Sequence, residues 1–329
     1  MAIPHALRAL IQLRRHLSEE ETRLAMQAIL EGQATEAQIA AFLVALHLKG
    51  ETADELTGAA RALRAAANTP PVSTEPLLDT CGTGGDLSGT FNISTIAALV
   101  AAGAGLRVAK HGNRSLSSLC GSADLLEALG VNLQHASTTL PAHGIAFFFA
   151  PLFHRATRHV QPIRAQLKTR TLFNYLGPLT NPAGANIQIA GAFSPQAASL
   201  IAESLNLLGL PRGFVVHGED GLDEVTTTGV THAFEIRDGA VTALTLTPEA
   251  FELPRAAPQA LLGGDIAQNA RIAESILHGD PGPPRDIVLA NAALALYAAD
   301  LAPTLPQAVS LARKSIDSGR AFAKLLALH

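Results

Sequence analysis

Between Pro76 and Lys110 the chain reads as a short strand, a glycine-rich loop, an apolar helix and a second strand. No other stretch restricts the fold as much. Pro76 to Thr80 and Leu106 to Lys110 have strand length, and Asn92 to Ala102 is a run of small apolar residues long enough for a helix. Two strands joined through a helix pair in parallel, with a right-handed crossover. Further buried strands are expected at Ile145 to Phe149, Ile187 to Phe193 and Phe214 to His217. Helices are expected at Ala123 to Leu129, Gln196 to Leu208, Ile266 to Leu277, Asp286 to Ala298 and Leu305 to Leu326. Ala233 to Leu246 reads as a hairpin turning at Asp238-Gly239.

The N-terminal stretch has a different texture. Ser18 with Glu21, Thr35 with Gln38 and Thr52 with Glu55 have the spacing in which a side-chain oxygen and a carboxyl or amide close a helix start. Gly32 and Gly50 fall where the first two of these helices should stop. Ile39, Phe42, Leu43 and Leu46 make one apolar stripe, which serves packing or subunit contact rather than chemistry. The fold class is therefore α/β: a small all-helical N-terminal domain, residues 1–70, and a larger domain, residues 71–329, with a central, mainly parallel sheet. The linker runs from Asn68 to Val72, and two prolines and a glycine in Leu176 to Pro182 mark a second crossing, so part of residues 165–182 joins the helical domain.

A net charge of −4 excludes a general affinity for nucleic acid. Its distribution says more. From Leu87 to Ala202 the only acids are Asp124 and Glu127, against Arg107, Lys110, Arg114, Arg155, Arg158, Arg164, Lys168 and Arg170, so the window carries +6 and the remainder −10. A positive middle in an acidic protein suits a compact polyanion; the plainer alternative is a solvated basic face. Cys81 and Cys120 match no disulfide, metal or redox spacing, which points to a reducing, cytoplasmic setting. No leader or membrane span is expected, since the longest apolar run, Ile96 to Leu106, is too short.

Three turns carry the chemistry. Asp79-Thr80-Cys81-Gly82-Thr83-Gly84-Gly85-Asp86 follows the first strand and leads through Gly89 and Thr90 to Asn92, Ser94 and Thr95 at a helix start. Glycines let backbone N–H groups face an anion, and the helix start adds its dipole. It is not a Walker loop, because no Gly-Lys-Ser/Thr closes it. Lys110-His111-Gly112-Asn113-Arg114-Ser115, with Ser117 and Ser118, leaves the second strand at the same sheet edge, where open α/β sheets bind ligands. Glu219-Asp220-Gly221-Leu222-Asp223-Glu224 would repel a phosphate unless magnesium, a hard cation, lies between; otherwise it is an exposed acidic turn. Gly263-Gly264-Asp265 echoes the first loop, but Gln268 three residues on makes Asp265 a helix cap.

These blocks together resemble anthranilate phosphoribosyltransferases. Gly82-Thr-Gly-Gly-Asp86, Thr90-Phe-Asn-Ile-Ser-Thr95, Lys110-His-Gly-Asn-Arg114 and Cys120-Gly-Ser-Ala-Asp124 look like that family's signatures. Pro162-Ile-Arg164, Phe173-Asn-Tyr-Leu-Gly-Pro178 and His217-Gly-Glu-Asp-Gly-Leu-Asp-Glu224 follow in the family's order. The resemblance implies a nucleoside phosphorylase/phosphoribosyltransferase type of fold, a homodimer packed through the helical domain, a hinge between the domains and two magnesium ions. It implies that Gly82, Gly85, Asp86, Thr90, Asn92, Ser94, Thr95, Lys110, Gly112, Asn113, Arg114, Ser115, Ser117, Ser118 and Ser122 contact phosphoribosyl pyrophosphate. Gly82, His111, Asn113 and Arg164 would face anthranilate, and Ser94, Asp223 and Glu224 would hold magnesium. No single residue stands out as catalytic acid or base. Leu87, Arg155 and Thr157 depart from the family's usual glycine, proline and methionine. A pyrimidine nucleoside phosphorylase would not need the Asp223-Glu224 pair, and a non-catalytic nucleic-acid-binding relative would be basic over a broad face.

Overall fold

The computed structural model describes residues 2–69, 75–86, 88–115 and 119–329. The expected linker from Asn68 to Val72 therefore lies mostly outside the described residues, as do Leu87, Ser117 and Ser118.

Helix α1 (Ala2–Leu7) runs on as a π turn, Arg8–Gln12, and is followed by α2 (Glu19–Leu30), α3 (Glu36–Lys49) and α4 (Ala53–Ala65). All three expected capping pairs form: Ser18, Thr35 and Thr52 each accept from the backbone N–H three residues on, and Glu21, Gln38 and Glu55 reach back. Glu55 does more than cap. Its fully buried carboxylate also accepts from the Leu17 N–H at 2.8 Å and from Lys49 Nζ at 2.9 Å, so the charge is met on every side.

The chain then gives β1 (Leu77–Asp79), α5 (Ile93–Gly103), β2 (Arg107–Gly112), α6 (Ser122–Ala128), α7 (Ala136–His143), β3 (Ile145–Phe149) and α8 (Ala150–Phe153). After α9 (Gln161–Leu167) and α10 (Phe173–Leu179) come β4 (Ile187–Gly191), α11 (Pro195–Leu207), β5 (Arg212–Gly218), β6 (Thr231–Arg237) and β7 (Ala240–Leu246). Helices α12 (Ile266–Leu277), α13 (Pro283–Ala298), α14 (Leu305–Asp317) and α15 (Arg320–Leu326) complete it. Strand order in the seven-stranded sheet is β3-β2-β1-β4-β5-β6-β7. The first five strands are parallel and the last two antiparallel. The β6–β7 hairpin turns where expected, with Asp238 and Gly239 both at positive φ (51° and 82°).

Two expectations change. Leu305 to Leu326 is not one helix, because Gly319 at φ 72° breaks it into α14 and α15. Leu176 to Pro182 is not all connection, since Leu176 to Leu179 form the last turn of α10.

One apolar cluster lies between α5, α13 and one sheet face. A second joins Phe42, Leu43 and Leu56 of the bundle to Ile163, Leu172, Phe173, Leu176 and Leu179, and on to Ile201 and Leu205 of α11 and Val215 of the sheet, and a small third gathers Leu77, Leu140 and Phe148. The bundle thus shares its core with the opposite sheet face. Among the described residues no helix is long and apolar enough to cross a membrane.

Candidate functional site

The strand order reverses between β1 and β4: the chain steps outward from β1 to β2 and β3, then returns to the other side of β1. Loops after such strands diverge and leave a crevice at the carboxyl edge. Here the crevice is closed by three backbones in contact. The Thr83 N–H donates to the Gly191 carbonyl at 2.9 Å, and the Gly84 N–H to Asp223 Oδ2 at 2.8 Å. A methyl on Gly82 would sit 3.1 Å from the Gly191 carbonyl oxygen and 3.2 Å from Asp223 Oδ2; one on Gly191 would overlap the Asp223 carbonyl. At Gly191 only a glycine allows this approach, and at Gly82 a side chain would need its neighbours to give way.

The acidic turn comes to the same place. Asp223 reaches the glycine loop two residues before Asp86, and Glu224 Oε1 accepts from the Ser94 N–H at 3.2 Å at the start of α5. Burial, then the Asp86 charge, pushes the Asp223 carboxyl well above its usual range. Burial, then Asp223, does the same to Glu224. Asp220 is a different kind of acid: it accepts from the Leu222 N–H and the Thr226 and Thr228 hydroxyls and folds the turn.

Lys110, buried at the end of β2, donates through Nζ to the Thr80 carbonyl and hydroxyl, each at 3.0 Å, and to Ser94 Oγ at 3.3 Å. Its charge favours the ionised forms of Glu224 and of Asp79 beneath. Asp86 and Glu224, from two separate turns, and Lys110, from strand β2, therefore meet at one rim. Asp86, Asp223 and Glu224 face one ammonium and act on one another, which leaves a deficit of positive charge, although among the described residues their oxygens do not close into a tight cluster as those of Asp79, Cys81 and His111 do. Hard oxygen donors with such a deficit suit a divalent cation such as magnesium. Around them, Thr83 Oγ1, Asn92 Oδ1 and Thr95 Oγ1 are buried with no protein partner, as befits a site that a polar ligand completes.

The other expected residues fall around this rim. Thr90 Oγ1 lies 3.1 Å from Ser88 Oγ. Asn92 stands at the N-cap of α5 but does not cap it; its amide donates to the Cys120 carbonyl at 3.0 Å, and the first N–H groups of the helix are met by the Phe91 carbonyl and by Glu224 instead. Gly112 ends β2 beside Ser122, whose hydroxyl donates to the Asn113 carbonyl at 3.1 Å. The Ser115 N–H donates to Asp124. Arg114 is engaged within the protein, by Asp124 at 2.8 Å and Glu127 at 2.7 Å, and these two acids raise its pKa.

On the α9–α10 side, His111 Nδ1 lies 3.1 Å from the Gly177 carbonyl and its Nε2 has no protein partner. The ring meets that of His154 edge-on at 5.2 Å. Half-buried Arg164 stacks on Phe173 at 5.2 Å, and burial lowers its pKa. Arg155 is exposed, and the Thr157 hydroxyl donates to the His154 carbonyl at 2.7 Å. Two residues of this region had no site role in the sequence reading. Gly191 was visible only as a glycine inside the expected strand Ile187 to Phe193, which in fact ends there, and Arg170, which donates to the Gly85 carbonyl at 2.7 Å, only as one of eight basic residues in a window.

Burial holds His154 down at about 4, and burial with His154 beside it holds His111 at about 3. Both rings are neutral in the folded chain near pH 7. A folded-state pKa below the unfolded 6.5 means that His154's contribution is complete above pH 6.5 and is lost as pH falls toward 4. Asp79, pushed up to about 6 by burial, works in the opposite sense, so the useful quantity is a difference between variants. The stability advantage of the parent over His154→Asn should shrink by about 1.4 kcal/mol per pH unit below pH 6.5. Urea midpoints across that range measure it, and a difference independent of pH would contradict a buried neutral imidazole.

Residues 74–322 match the family model described as glycosyl transferase family, a/b domain, and residues 4–67 that family's helical bundle domain. The chain is 55% identical to the anthranilate phosphoribosyltransferase of Solibacter usitatus, over 99% of this chain and 97% of that one. The crystal structure of the anthranilate phosphoribosyltransferase from Thermus thermophilus superposes with a TM-score of 0.91 at 46% identity, covering 99% of this chain and 97% of that one. The Saccharomyces cerevisiae enzyme, in complex with PRPP and Mg, gives a TM-score of 0.91 at 29% identity, covering 99% and 96%.

Proposed function

This chain belongs to the anthranilate phosphoribosyltransferase family, and from that premise we propose that the rim joining Asp86, Lys110 and Glu224 is where it holds its sugar donor. The enzyme is a pentosyltransferase of tryptophan biosynthesis. The amine of anthranilate attacks C1 of phosphoribosyl pyrophosphate, and pyrophosphate departs, giving N-(5-phosphoribosyl)anthranilate.

The observation that carries the site is the joining of three segments: Asp223 accepts from the Gly84 N–H of the glycine loop, Glu224 from the Ser94 N–H at the start of α5, and Lys110 donates to Ser94 Oγ. Ser94, Asp223 and Glu224 would hold magnesium, as two ions, which would supply positive charge to the departing pyrophosphate. The chain's own groups do the rest. Backbone N–H groups of the glycine loop receive the phosphates, with the dipole of α5 behind them. Gly82, Gly85, Thr90, Asn92, Thr95, Gly112, Asn113, Arg114, Ser115 and Ser122 line the donor's path, with Arg114 also anchoring the second loop through Asp124 and Glu127. Arg164 offers a planar fork to the anthranilate carboxylate, with His111 and Asn113 beside it. An arylamine is already neutral near pH 7, so the reaction needs orientation and charge stabilisation more than a general base. Two copies pair through the helical domain; exposed Ile11, Leu13 and Leu48, the last 81% accessible, support that face.

An assay following anthranilate fluorescence with phosphoribosyl pyrophosphate and magnesium tests this reading. Arg164→Ala should raise the KM for anthranilate by about 10-fold or more, the worth of a charge-assisted bidentate contact, and change the donor KM less. Asp223→Asn should lower kcat by roughly 100-fold and shift the magnesium requirement. Full activity in both variants rejects the site.

A further inference from the structure

We propose that Arg170 is a positioning residue for the donor loop: it fixes the Gly85–Asp86 peptide and ties that loop to the segment bearing Arg164. This rests on the proposed function and adds a residue to it. Arg170 is held at both sides. Its Nη2 donates to the Gly85 carbonyl at 2.7 Å, and its guanidinium lies 4.2 Å over the Phe193 ring in the loop after β4. Phe193 in turn meets Tyr175 of α10 edge-on at 5.2 Å. A long exposed side chain gains order only where such contacts offset its lost freedom; a hydrogen bond together with a ring platform does so.

The consequence lies in the peptide it grips. Gly84 and Gly85 both have positive φ (62° and 71°), a conformation that the backbone alone holds weakly. Asp223 secures the Gly84 N–H on one side of this pair, and Arg170 secures the Gly85 carbonyl on the other. A trans peptide is planar, so drawing the carbonyl toward Arg170 points the Asp86 N–H the opposite way. An anion cradle needs N–H groups turned inward and carbonyls turned out. Arg170 thus keeps a carbonyl dipole out of the phosphate's field without touching phosphate. The turn at Lys168, whose φ is 49°, separates it from Arg164 by six positions, so one short segment carries both the acceptor grip and the donor-loop clasp.

The test uses the full-length enzyme with magnesium, and the variants Arg170→Ala, Arg170→Lys and Phe193→Leu. Arg170→Ala should raise the KM for phosphoribosyl pyrophosphate by about 10-fold and lower kcat, with the anthranilate KM within about 3-fold. Phe193→Leu should move the same parameters by a smaller factor. Arg170→Lys should recover only part, since an ammonium can meet the carbonyl but lacks the planar stack. Melting temperatures close to the parent's separate positioning from simple loss of fold. A donor KM within about 2-fold in Arg170→Ala, full recovery by lysine, or a change confined to anthranilate overturns the inference. A parent with no transfer activity sinks the proposed function itself; an active parent with an unaffected Arg170→Ala sinks this inference alone.

Discussion

Gly191→Ala is expected to reduce kcat/KM by about 100-fold or more, the cost of misplacing a reacting group by about 1 Å. Gly191 ends β4 at the point where the strand order reverses, and its α-carbon packs on the Asp223 backbone. The methyl would overlap the carbonyl carbon and oxygen of Asp223, atoms that cannot rotate aside as a side chain can. Either β4 or the turn carrying Asp223 and Glu224 must shift. The Gly84 N–H bond to Asp223 moves with it, and so does the glycine loop. Overpacking of this kind adds a stability cost of about 1–3 kcal/mol. Gly229→Ala is the control: a methyl there meets nothing within 4 Å. Steady-state kinetics on both variants decide the matter, and a Gly191→Ala enzyme within about 3-fold of the parent would show that the contact is slack.

Lys110→Met is the second large effect. The methylene stem is replaced faithfully, but the ammonium is lost from between the Thr80 carbonyl, the Thr80 hydroxyl and Ser94 Oγ. Two buried carboxyls, Asp79 and Glu224, lose the cation that favours their ionised forms. Removing one partner of a buried ionic group costs about 3–5 kcal/mol, far more than the hydrogen bonds alone. Because both acids would then take up protons more readily, activity should fall along with stability. Arginine should not rescue, since its fork is larger and flatter than the space around Nζ. Denaturant midpoints within about 1 kcal/mol of the parent would remove Lys110 from the charge balance of the rim.

Local rules were readable wherever the physics is local. Each cap at Ser18, Thr35 and Thr52 involves residues three apart, and the Asp238-Gly239 turn needs only two residues at positive φ. The parallel sheet followed from buried strand runs separated by helices. Prolines hid other elements: α7, α9 and α10 are short and contain Pro141, Pro162 and Pro178. In the site, the glycine loop, Lys110 and the Asp223-Glu224 pair announce themselves by composition. Gly191 and Arg170 do not, because their partners, Asp223 and Gly85, lie far away in sequence and the contact is set by topology. Arg114 shows the converse: its pairing with Asp124 and Glu127, one helical turn apart, could not be read from the loop motif alone.

The apolar cluster shared by the bundle and α11 bears on how the chain matures on the ribosome. Helices α1 to α4 emerge first, yet Leu43 and Leu56 find their full lining only when Leu172 to Leu205 have been made. Until then the nascent bundle presents an oily flank to the translation machinery. Its final closure is postponed until the switch-point strand, and with it half of the catalytic crevice, has left the exit tunnel.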